Sequence, residues 1–117
     1  MQKYGFLGGV VLVAIAFVAP GYSQPAPITI SGFGGNATHD CGNGRNVTID
    51  AANTTVTLRG MCKQVEITGA GNTVNLNQVE RIVVTGTMNR VTYRNGVNNR
   101  PPVISNTGFN NQVTRQP

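Results

Sequence analysis

This sequence has few of the residues from which active sites are built. Its 117 residues hold only four Asp plus Glu and a single histidine, His39. Hydrolases and lyases that work through side chains need paired carboxylates, or a carboxylate with a well-placed base or metal. Here Asp40, Asp50, Glu66 and Glu80 are scattered along the chain, and no Ser-His-Asp order falls in a recognised motif. Cysteine is equally scarce, with Cys41 and Cys62 alone. His39, Asp40 and Cys41 stand side by side rather than at zinc spacing, and no second histidine completes a set, so no metal site is expected. Gly42 and Gly44 lie in turn chemistry with neither a strand-to-helix context nor a following Gly-Lys-Ser/Thr, so they do not form a phosphate-cradling loop. No cofactor is expected.

Long hydrophobic runs are also missing, with one exception. Gly5 to Ala19 is an uncharged run of fifteen residues, short of the roughly 20 that a spanning helix needs. Lys3 precedes it, and Pro20-Gly21-Tyr22-Ser23 follows with a helix breaker and small residues. That order is the pattern of a secretory signal peptide over residues 1–23, with cleavage expected after Ser23. Residues 24–35 then read as an extended, Pro-bearing lead-in, and residues 36–117 as a single β-repeat domain. On this reading the protein is secreted or associated with the cell envelope, and no stable membrane span remains after cleavage. An oxidising compartment and an even count favour a Cys41–Cys62 disulfide.

After residue 27 no segment has the apolar spacing of an amphipathic helix. What recurs instead is a β-branched or large apolar residue, a polar residue and a second apolar residue. Val47, Val56, Val65, Val74, Ile82 and Val91 begin these triplets at spacings of nine, nine, nine, eight and nine. Period-two alternation of Val, Ile, Thr and Tyr fits half-buried strands. It turns Val47, Ile49, Val56, Leu58, Val65, Ile67, Val74, Leu76, Ile82, Val84, Val91 and Tyr93 to one face, and Thr48, Thr57, Glu66, Asn75, Val83 and Thr92 to the other.

The connections carry a longer period. Thr68-Gly69 with Asn72 recurs as Thr85-Gly86 with Asn89, whereas the intervening connections are of another kind. An antiparallel meander gives alternate hairpins no reason to share chemistry, but stacked coils bring corresponding corners together in space. The expected fold is therefore all-β: a small parallel β-solenoid of two-sheet coils of about 17–18 residues, right-handed by the crossover rule. Val47, Val65, Ile82 and Val103 would start the strands of one sheet, and Val56, Val74, Val91 and Val113 those of the other. Asn72, Asn89 and Asn111, with Asn53 one position further back, would form a hydrogen-bonded ladder at the corners while tolerating left-handed turn geometry.

Arg94 to Pro102 interrupts the beat, and a loop held by a rigid frame is where binding groups tend to sit. Arg94, Asn98, Asn99 and Arg100 are its candidate binding residues. Past residue 23 eight cations face four anions, and five of the eight lie at or after Arg81. Such a surface suits anionic envelope polymers or glycans; nucleic acid is not the expected partner. Rows such as Thr55-Val56-Thr57, which on a regular array would suit ice binding, are broken by charge and amide further along. Open coil ends leave unpaired strand edges, so self-association through them is a further expectation.

His39-x-Cys41, Gly60-Met61-Cys62, Thr68-Gly69-Ala70-Gly71-Asn72-Thr73-Val74 and the unit at Gly86 and Asn89 together carry a resemblance. The chain resembles, over roughly residues 36–115, the exported actinobacterial family of domain of unknown function 3060. The resemblance implies a secreted or envelope-associated β-repeat domain without an assigned activity. Two positions depart from it: Met88 stands where Gly71 predicts glycine, and Asn53 is one residue out of line. The function expected is a non-catalytic, exported binding or structural module; the alternative is a small secreted enzyme centred on His39 and Asp40.

Overall fold

Triplets of β-branched residues without helix formers between them leave the chain only extended structure, and seven strands result. In the computed structural model, which describes residues 25–116, these are β1 (Ile28–Phe33), β2 (Asn36–Ala52), β3 (Thr55–Ile67), β4 (Thr73–Val84), β5 (Arg90–Asn95), β6 (Val103–Asn106) and β7 (Gln112–Arg115). The expected signal segment and its cleavage point lie outside the described residues. Every pairing is parallel, in the order β1-β2-β3-β4-β5-β7, with β6 on β4. The fold is a β-solenoid of about five turns. β2, β3 and β4 each run round a bend, so one strand serves both sides of a coil.

Register makes columns of like residues. Val47 lies on Val65 and Val65 on Ile82, while Val56, Val74, Val91 and Val113 stack on the other side. Most of these inward side chains are fully buried, and each Val or Ile so buried stabilises by about 1.5–3 kcal/mol. A third inner column, Cys41, Cys62 and Val79, fills the bend opposite the asparagine corner.

Two expectations about the columns change. Ile104, not Val103, stacks on Ile82, and Val103 pairs with Arg81; adjacent apolar residues after Pro101-Pro102 leave the register open, and the ladder selects the second. The solenoid also starts inside the expected lead-in, because Ile28 and Ile30 pair with Val47 and Ile49 and are buried there.

The corner column explains the recurrent asparagine. Asn72 Oδ1 accepts from Thr54 N (3.1 Å), Asn89 Oδ1 from Asn72 N (3.0 Å) and Asn111 Oδ1 from Asn89 N (2.9 Å). These links span 18, 17 and 22 residues, the lengths of successive coils. Each Nδ2 donates back to a carbonyl of the preceding coil, at Ala51, Gly69 and Gly86. Asn53 is not a rung. Thr54 fills the rung position, its hydroxyl donating to Ala52 O at 3.0 Å. Asn53 instead shares a column with Gly71, Met88 and Asn110, all at positive φ (53°, 69°, 56° and 57°), so its side chain serves the left-handed turn.

Glycine is required by contact at Gly69 and Gly86. A Cβ there would lie 1.7 Å from Ala51 O and 1.8 Å from Gly69 O, so coils stack at this corner only if the side chain is absent.

Candidate functional site

Insertion of residues 96–102 between β5 and β6 lifts the chain off the coil and leaves a hollow beside the last turns. Its neck is Gly96, where a Cβ would meet Arg100 O at 1.7 Å. Asn98 and Asn99 follow in consecutive left-handed conformations, φ 57° and 59°, which asparagine tolerates better than most residues. Arg100 N then donates to Val97 O at 3.1 Å, and Pro101-Pro102 restricts the return to β6. The loop is thus held by its own turn chemistry.

The hollow is a cleft of about 550 Å³ lined by the loop and by Gln78, Tyr93, Asn95 and Arg115. Among the described residues Arg100 and Arg115 are its only charged lining; the rest are amides, one tyrosine, glycine and prolines, with no carboxylate. Arg115 Nε donates to Arg94 O (3.0 Å) and its guanidinium reaches Asn95 Oδ1 (3.4 Å), which ties β7 to β5. Tyr93 is half-buried against the core. Arrays of guanidinium, amide and one aromatic face bind oxyanions and sugar hydroxyls.

Of the loop residues singled out in the sequence, Asn98, Asn99 and Arg100 line the cleft, while Arg94 contributes only its backbone carbonyl to Arg115. Sequence reasoning missed Gln78, Tyr93, Asn95 and Arg115 as lining. A signal was there: the column Leu58, Leu76, Tyr93, Arg115 turns from aliphatic to aromatic to cationic as it reaches the loop.

The other sequence candidates lie elsewhere. His39 is exposed and Asp40 accepts from Gly42 N at 2.8 Å, and neither lines a described cavity. Cys41 and Cys62 form the expected disulfide, so their sulfurs bind each other rather than a metal ion. That disulfide suggests a location outside the reducing cytoplasm. Among the described residues no helix is long and apolar enough to cross a membrane. A second, shallower hollow of about 540 Å³ runs over Asp50, Thr68, Gly69, Thr85 and Gly86 at the asparagine corner; small side chains form its floor.

A family model described as "Protein of unknown function (DUF3060)" matches residues 49–110, a span that takes in the ladder and the loop. No curated protein and no solved structure matches the chain.

Proposed function

From the premise that this chain belongs to the DUF3060 family, we propose that it is an exported, non-catalytic binding module of the cell envelope whose loop cleft holds an anionic glycan. One observation carries the reading: Arg100 and Arg115 line one cleft with Tyr93 and several amides, and no carboxylate lines it among the described residues. An acidic sugar chain offers carboxylate or phosphate oxygens to the guanidiniums and a ring face to the tyrosine. The basic balance after Arg81 adds a field that attracts such a polymer. The disulfide and the apolar run before Pro20 support export.

Isothermal titration of the purified protein with polygalacturonate, and with uncharged dextran as control, tests the proposal. Saturable binding to polygalacturonate is expected, weakened by added salt and reduced about tenfold by Arg100→Ala, the effect of losing a charge-assisted hydrogen bond. Equal affinity for dextran, or an Arg100→Ala variant that binds as the parent does, would overturn it.

A further inference from the structure

We infer that the two ends of the solenoid are complementary and that copies of this chain stack head to tail. The first and last coils are congruent. In each internal coil the residue that starts the first side is followed, after the same interval, by the one that starts the second, as Val65 is by Thr73. Ile28 with Asn36 at the head, and Ile104 with Gln112 at the tail, keep that interval and occupy the same columns.

The hydrogen-bond pattern at the corner states what each end lacks. Between coils, the backbone N–H groups of Thr68, Thr85 and Thr107 donate to Ile49 O, Ile67 O and Val84 O. Those of Ala70, Thr87 and Phe109 donate to Ala51 O, Gly69 O and Gly86 O, and those of Asn53, Gly71 and Met88 donate forward to Ala70 O, Thr87 O and Phe109 O. By the same columns, Ser31 N, Phe33 N and Phe33 O at the head have no coil before them among the described residues. Asn106 O, Gly108 O and Asn110 N at the tail have no coil after them among the described residues. Donors at one end thus face acceptors at the other, in register.

Apolar exposure is greater at the tail, since Ile28 and Ile30 at the head are buried (4% and 5%) and only Phe33 stands out there. Ile104 is 41% exposed although Ile82 beneath it is fully buried, and Phe109 (68%) and Phe33 (81%) end the same corner column at tail and head. Stacking a second copy would put Ile104 over Ile28, and Arg115 over His39 and beside Asp40. The joint is weaker than an internal one, because Gly35 occupies the rung position and offers no Oδ1 to Asn111 N. A heterologous contact of this kind does not close on itself and extends into a chain of copies.

Sedimentation velocity across a concentration series tests the inference. The parent protein is expected to shift reversibly to dimers and longer species as concentration rises. A lysine on an exposed edge blocks pairing, so Phe33→Lys at the head and Phe109→Lys at the tail, each shown by circular dichroism to be folded, should each be monomeric. Mixed one to one, the two variants should recover a single heterodimer, since each keeps one intact end. A parent that stays monomeric throughout overturns the inference, as does Phe33→Lys dimerising alone, which would mark a symmetric tail-to-tail contact. Variants that stay monomeric when mixed overturn it as well.

Discussion

Asn89 works in both directions along the stack: its Oδ1 accepts from Asn72 N and Asn72 Nδ2, and its Nδ2 donates to Gly69 O and to Asn111 Oδ1. Truncation in Asn89→Ala leaves the buried Asn72 N–H without an acceptor, at a cost of about 2–3 kcal/mol. Urea denaturation should show that loss as a lower midpoint with little change in slope, since the buried surface is nearly the same. Met88 offers the opposite change. It holds φ 56° with its side chain largely exposed, and a left-handed conformation costs a non-glycine residue about 1–2 kcal/mol. Glycine's greater freedom in the unfolded chain returns roughly 0.5–1 kcal/mol of that, so Met88→Gly should raise stability by up to about 1 kcal/mol in the same assay. The three asparagine rungs were legible as residues recurring before a strand. Thr54 was not, because a hydroxyl bonding to Ala52 O two residues back leaves no mark on the period, and Asn53 beside it is the more conspicuous residue.

At the scale of elements, the disulfide joins β2 to β3 and closes a loop of sequence separation 21. Restricting the unfolded chain over such a loop contributes about 3 kcal/mol. Denaturation with and without a thiol reductant should separate the two states by that amount, and loss of the first coil should precede loss of β3 and β4. Strand positions were readable because every triplet but Ile82-Val83-Val84 alternates polar and apolar residues, and a slip of one residue would expose the apolar set. That safeguard fails after the loop, where Val103 and Ile104 are adjacent and either could point inward. Pairing of Ile104 with Ile82 decides it. Residues 24–35 read as a lead-in because Gly32, Gly34 and Gly35 carry turn chemistry; they are the glycine-rich form of the corner that Gly69 and Gly71 make two coils later.

Taken whole, the molecule is close to one-dimensional: coils touch only their neighbours, so stability should vary along the axis rather than between a centre and a surface. Native-state hydrogen exchange should find the slowest amides in β3 and β4, which have a coil on each side, and the fastest in β6 and β7. Uniform protection along the chain would contradict that reading. The sequence alone determined the parallel coil, its two sides and the disulfide, because these follow from local period and compartment: alternation selects strands, a repeated corner selects stacking, and paired cysteines suit an oxidising space. Only the tertiary structure decided the register after the loop and what the loop encloses. The cleft joins Gln78 and Tyr93 to Arg100 and Arg115 across coils. The placement of Thr54 as a rung and of Ile104 on Ile82 likewise rests on contact with a neighbouring coil, which no single stretch of chain can specify.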